Sequence, residues 1–133
     1  MAVKTLNLNP PELTITFTKG KTFNPIFYYL DKDNGVVDLT GYTARMQARV
    51  DDVLLPDWDL TTENGKLTIV IGDTEVGEEV IVNAQGIQVH VTDSVTAAIT
   101  WELACYEMEL IDPSLKVLPY IKGTLVPQDE CVK

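Results

Sequence analysis

Strict alternation of apolar and polar residues recurs along most of this chain, and it restricts the fold to strands with one buried face. Leu13, Ile15 and Phe17 alternate with Thr14, Thr16 and Thr18. Ala44, Met46, Ala48 and Val50 alternate with Thr43, Arg45, Gln47 and Arg49. The pattern returns at Leu67, Ile69 and Ile71, at Ile87, Val89 and Val91, and at Tyr106, Met108 and Leu110. Side chains on a strand point alternately to opposite faces, so each of these sets is expected to face a core. Their polar neighbours, such as Thr68, Gln88, His90, Cys105, Glu107 and Glu109, are expected to face solvent or a partner.

Turn signals separate the runs. Lys19-Gly20 and Asn34-Gly35 punctuate the first third, and Asp112-Pro113-Ser114 separates the last two strands. Asn64-Gly65, directly before Lys66, predicts a tight hairpin into the next strand. Strands are expected near residues 12–18, 21–30, 36–38, 43–51, 66–71, 79–82, 86–92 and 104–111, with a last one over 115–126. Around Pro56, which has no N–H for a central ladder, an edge strand or a loop is expected. Thr92-Asp93-Ser94 offers helix-capping residues, and Val95 and Ile99 share one face of a short helical turn that should pack across a sandwich end. Strands joined by short loops point to a sandwich or barrel, here a single all-β, antiparallel β-sandwich domain with one short helical turn. Residues 1–11 read as an extended arm and residues 127–133 as a polar tail. At 133 residues the chain is expected to bury about two thirds of its unfolded surface, enough for one core without staples.

Charge narrows the range of partners. With 20 acidic and 10 basic residues the net charge is −10, and the basic residues form no stripe. Nucleic acid and anionic membranes are therefore not expected partners. The N-terminus has no apolar signal region, and no apolar run approaches the ~20 residues of a membrane helix. Cys105 and Cys131 match no metal spacing and no disulfide framework. Two free thiols in a protein folded in a reducing cytoplasm is the first reading, and a single bridge pinning the tail is the other.

Candidate chemistry is sparse. His90 is the one histidine and sits at an outward strand position. Counting a calcium loop from Asp31 puts Val36 where glycine is required and Tyr42 where glutamate is required, so a polar turn explains these residues. Asp51-Asp52 and Glu78-Glu79 are adjacent pairs, which on a strand point to opposite faces rather than across a cleft, so they read as solvated charges at strand ends. No catalytic residue, cofactor site or metal site is expected, and the chain is not expected to be an enzyme. Aromatic residues are the remaining candidates. Of Phe27, Tyr28 and Tyr29, the first and third are expected in the core and Tyr28 on the surface. Pro56, Trp58, Tyr28, Asp112 and Pro113 are the candidate partner contacts, because tyrosine and tryptophan are enriched where proteins meet.

One block is more specific. Val37-Asp38-Leu39-Thr40-Gly41-Tyr42-Thr43-Ala44-Arg45-Met46-Gln47-Ala48-Arg49 resembles a signature of small phage tail proteins, in which a polar turn leads to "DLTGYTxxMQxR". Gly65-Lys66-Leu67-Thr68-Ile69, Tyr106-Glu107-Met108-Glu109-Leu110-Ile111-Asp112-Pro113 and Ile121-Lys122-Gly123-Thr124-Leu125-Val126-Pro127 resemble its later strands in the same order. The likeness covers roughly residues 12 to 128 and is similar to the N-terminal domain of phage baseplate upper proteins. It implies an immunoglobulin-like sandwich that serves as a structural component of a virion tail, at the tip, baseplate or collar. The resemblance further implies synthesis in the host bacterial cytoplasm, a homo-oligomeric ring, other tail proteins as partners and anchoring of fibres. The chain departs from the pattern by ending right after the sandwich, which favours a connector or collar over a receptor binder. A carbohydrate-binding or host-surface adhesion module is the alternative, and it requires two or more aromatic rings coplanar on one exposed face.

Overall fold

The computed structural model describes residues 2–3, 12–31 and 33–129. In chain order the elements are β1 (Ala2–Val3), β2 (Glu12–Thr18), β3 (Ile26–Tyr29), β4 (Thr43–Val50) and β5 (Val53–Thr61). They continue with β6 (Leu67–Val76), β7 (Glu79–Val89), α1 (Asp93–Ala97), β8 (Ala104–Ile111) and β9 (Val117–Gln128). The strands form a four-stranded sheet in the order β1-β3-β7-β6 and a five-stranded sheet in the order β2-β9-β8-β4-β5. The two sheets pack as a sandwich, as the alternation predicts. Most pairs run antiparallel, but β1 with β3 and β2 with β9 run parallel at the sheet edges. The β2–β9 approach depends on Gly123, where a Cβ would collide with the Leu13 carbonyl.

The inner faces interlock as the period-2 reading requires, with the exception of Ile71, which the alternation places in the core beside Leu67 and Ile69 but which is exposed. Phe27, Tyr29, Leu67, Ile87 and Val89 come from one sheet; Ala44, Met46, Ala48, Leu60, Met108, Leu110, Ile121 and Leu125 come from the other. Burial of these apolar faces is the main stabilising term. β9 carries one extra residue, Tyr120, opposite the step between Met108 and Glu109, so Tyr120 and Ile121 are both buried although they are neighbours in sequence. The Tyr120 hydroxyl crosses to the other sheet and donates to the Phe27 carbonyl at 2.7 Å.

Helix α1 closes one end of the sandwich. Ile99 is buried and Val95 packs against the same core, as their spacing predicts. Thr92 stands at the N-cap but makes no side-chain cap bond. The anchor is instead Thr96, which is fully buried; its hydroxyl donates to the Lys21 carbonyl at 2.7 Å and accepts from the Gly20 amide at 3.0 Å. The Lys19-Gly20 turn is thereby tied to the helix.

Several boundaries differ from the sequence reading, each for a local reason. Asn64-Gly65 does not close a hairpin: β5 and β6 lie in different sheets, and the Asn64 side chain shapes a crossing turn by accepting from Thr61 and Lys66 amides. Residues 79–82 and 86–92 are not two strands; β7 runs continuously through a bulge. The stretches expected over 21–30 and 36–38 shrink to β3 and to isolated bridges, Phe23 with Val91 and Leu30 with Val36. Of the arm expected over residues 1–11, Ala2 and Val3 pair with Tyr28 and Tyr29, and the rest lies outside the described residues. β9 extends through Pro127 and Gln128, opposite Phe17 and Thr18, and residues 130–133, with Cys131, lie outside the described residues.

Candidate interaction surfaces

The β4–β5 and β6–β7 hairpins, each ending a sheet, shape the surfaces considered first. In the first, β4 turns into β5 through Asp51 and Asp52, both with positive φ (51° and 65°), as a type I′ hairpin turn requires. The adjacent acids thus make a turn. Beyond it the register slips: Arg49 faces Leu54 but Gln47 faces Asp59, so residues 55–58 bulge out opposite Ala48. Pro56 sits in this bulge, exposed, where its missing N–H costs no ladder bond. The same bulge turns Trp58 inward.

Trp58 is 2% exposed and therefore offers no rim contact. Its ring joins Phe17 and Phe23, each with centroids 5.6 Å away, and meets Trp101 edge to face at 5.7 Å and 78°. Quadrupole attraction favours such tilted pairs over parallel stacks. Leu55, Pro56, Ala98 and Trp101 rim a shallow pocket above this cluster.

The other sequence candidates lie apart from it. Asp112 is half-buried and accepts from the Ser114 and Lys116 amides, both at 2.9 Å, which makes it the organiser of its turn. Pro113 is exposed and covers Gly41, whose φ of 81° is the left-handed conformation that the Thr40-Gly41 turn needs. Asp38 accepts from the Thr40 hydroxyl and amide and from Gln85 on β7; the Thr40 hydroxyl bond is the main cause that holds its carboxyl below the usual range. Asp31 accepts from the Asp33 and Gly35 amides, so that loop is an ordinary side-chain-stabilised turn. His90 and Cys105 are both exposed. Cys105 lies on the outer face of the five-stranded sheet with Glu107 and Glu109, opposite Arg49, Gln47 and Arg45. Arg45 pairs with Glu109 at 3.4 Å, so this face is largely self-neutralised. Among the described residues, no group of three or more His, Cys, Asp or Glu is placed to hold a metal ion.

The second hairpin, β6–β7, is the surface that the sequence reading divided and so missed. It turns at Gly77-Glu78, with the positive φ of Gly77 (63°) that a type II′ turn requires. Gly72 faces Ala84 and Thr74 faces Ile81, so Asn83 is an extra residue in β7; it adopts φ 58° and its amide donates to Asp73 at 3.2 Å. This bulge sorts the distal ribbon into two sides. On one side Ile81, Ala84 and Val76 join Leu30 and Tyr28 in a small cluster of their own. Tyr28 is half-buried there, with its hydroxyl over Gly72, where a Cβ would lie 2.5 Å away.

On the other side Ile71, Val80 and Val82 are 65%, 58% and 58% exposed. Asp73 and Glu75 alternate with Ile71 along the same side of β6. β6 pairs with β7 alone, so alternate N–H and C=O groups along its outer edge have no strand partner among the described residues. A signal for this surface exists in the sequence: residues 67–115 contain no lysine or arginine, while Asp73, Glu75, Glu78 and Glu79 crowd around Gly77. Comparison with known proteins adds no relative to this picture: no family model matches the chain, and no curated protein matches it at a significant level.

Proposed function

We propose that the chain is a non-enzymatic structural module of a phage tail, at the tip, baseplate or collar, that works by binding other tail proteins and copies of itself. The observation that carries the binding of other tail proteins is the β6–β7 ribbon, a ten-residue edge strand beside exposed Ile71, Val80 and Val82; the ring of copies rests on the resemblance alone. An uncovered edge of this length invites pairing with another chain, and natural monomers usually blunt such edges with proline, lysine or a cover. The resemblance of residues 37–49 and of the later strands to tail proteins supplies the setting. The strand order supports the finer, immunoglobulin-like reading. With β3 and β4 as strands B and C, one sheet continues B-E-D and the other G-F-C-C′, the arrangement of that sandwich. The B–F disulfide of antibody domains has no counterpart here, since β3 holds no cysteine and Cys105 on β8 is free and exposed.

The carbohydrate-binding alternative needs coplanar exposed rings. Trp58 is buried and stands edge to face with Trp101, so the two tryptophans form no such platform. Light scattering after size-exclusion chromatography tests the proposal. The expected result is a discrete oligomer; a monomer at every concentration that binds glycans overturns it.

A further inference from the structure

We infer that the outer edge of β6 is a docking site for a basic, extended segment of a different protein, which adds to the four-stranded sheet as a further strand. The inference deepens the assembly reading above and rests on it. Three observations converge. First, β6 is unpaired on its outer side over Leu67–Val76 and holds no proline. The other long edges differ: β5 is interrupted by Pro56 in its bulge, and β2, though also paired on one side only, packs its apolar Leu13, Ile15 and Phe17 on the main core and so offers no bare apolar side chains beside its edge. Second, Ile71, Val80 and Val82 present apolar surface beside that edge, so an added strand gains side-chain contact as well as ladder bonds.

Third, the charge chooses the occupant. Strand residues directly opposite one another share a face, and opposite charges there are favourable. An added strand lays alternate residues against Ile71, Asp73 and Glu75, and the others against Val70, Gly72, Thr74 and Val76. Asp73, Glu75, Glu78 and Glu79 take part in no ion pair among the described residues. A second copy of the same strand answers poorly: it brings further acids, and each chain carries −10 overall. The fitting partner alternates basic with β-branched residues.

The test uses the full chain with a capped peptide of alternating Lys and Val, an alternating Glu and Val peptide, and a Lys-rich peptide of scrambled order. Amide shifts and exchange protection are read by NMR. The expected result is that the Lys–Val peptide binds, protects alternate amides of Leu67–Val76 and weakens with added salt, whereas the Glu–Val peptide does not bind. Glu75→Lys, at an exposed position outside the Asn83 bulge, is expected to weaken binding about three-fold. Three results overturn the inference: shifts spread over Glu107 and Glu109 on the opposite sheet, equal binding of the scrambled peptide, or concentration-dependent protection of β6 with no peptide present. The last identifies a second copy as the occupant. A discrete oligomer whose β6 amides stay unprotected by the peptide leaves the assembly reading standing and sinks this one alone.

Discussion

The β4–β5 and β6–β7 hairpins share one local grammar and come to opposite outcomes. Each is antiparallel, closes in a two-residue turn and contains a bulge. In β4–β5 the bulge spans residues 55–58, hides Trp58 and leaves Pro56 on the outside of the edge. In β6–β7 the bulge is the single residue Asn83, and it leaves Ile71, Val80 and Val82 in solvent. Propensity and turn chemistry thus decide that a hairpin forms. What lies opposite it decides whether its apolar residues become core or surface. For β4–β5 the partner is the aromatic cluster of Phe17, Phe23 and Trp101; for the distal β6–β7 ribbon it is the small Leu30 cluster on one side only.

The largest effect that tests this contrast is truncation. Trp58→Ala is expected to cost about 3–5 kcal/mol, because the three remaining packed rings, Phe17, Phe23 and Trp101, cannot collapse into the space left. Ile71→Ala, on the uncovered side of the ribbon, is expected to lie within about 0.5 kcal/mol of the parent. Urea unfolding of both variants measures the difference. Comparable losses would mean that the ribbon's exposed side is covered in solution.

That contrast also marks how far the sequence could be read. Phe27 and Tyr29 inward with Tyr28 outward, the inward set of β4 and the pairing of Val95 with Ile99 all follow from periodicity, which is local. Trp58 does not, because its burial is set by a register slip between β4 and β5. The join of residues 79–82 to 86–92 is hidden for the same reason: Asn83 breaks the alternation while the strand continues. Asn64-Gly65 has hairpin composition, yet whether the next strand returns to the same sheet is decided by tertiary packing. Among the candidate contacts, Pro56 and Pro113 are exposed and Asp112 is committed to its own turn, all by hydrogen-bonding rules visible in sequence. The ribbon's apolar side is not visible that way, since an Ile-Val pattern reads alike whether covered or bare.

A smaller effect probes the ribbon's covered side. Gly72→Val drives a side chain into the Tyr28 hydroxyl and is expected to cost about 1–3 kcal/mol by overpacking. Val80→Thr, on the bare side of the same ribbon, is expected to be nearly neutral. Thermal unfolding of the pair checks it, and a neutral Gly72→Val would show that Tyr28 swings away freely and that the Leu30 cluster is not a second core.

The same principle, that partners decide the worth of a group, holds for two tyrosines in contact. Tyr29 and Tyr120 meet edge to face at 5.1 Å, but Tyr120 donates to Phe27 while the Tyr29 hydroxyl is buried without a partner. Tyr120→Phe is expected to cost about 1–2 kcal/mol, and Tyr29→Phe to be neutral or stabilising. Burial raises both phenols, Tyr29 to about 12. Below about pH 10 the phenol is protonated in both states and its contribution is constant. Above that, the unfolded phenol loses its proton first, so stability falls as pH rises toward the folded value. Each Phe variant should therefore flatten the alkaline limb of a stability-against-pH curve; an unchanged limb would mean that these rings are solvated in the folded state.

The smallest effects lie in the turns, and they sharpen the comparison most. Gly77→Ala places a Cβ at φ 63°, which costs about 1 kcal/mol. Asp52→Gly relieves a positive φ of 65° and is expected to return at most about 0.5 kcal/mol, because glycine also gains freedom in the unfolded chain. What distinguishes the hairpins is where each change is felt. The β4–β5 turn joins an edge strand to β4, which lies between β5 and β8 and lines the main core, so Asp52→Gly should shift the global unfolding midpoint. The β6–β7 turn ends a ribbon bare on one side, and such segments open locally at low free energy. Gly77→Ala should therefore speed amide exchange at Val76 and Glu79 and leave the exchange of Ile87 and Val89 unchanged. Were those core amides to exchange faster too, the ribbon would be cooperative with the sandwich, and its exposed side would have to be counted as part of one folded unit.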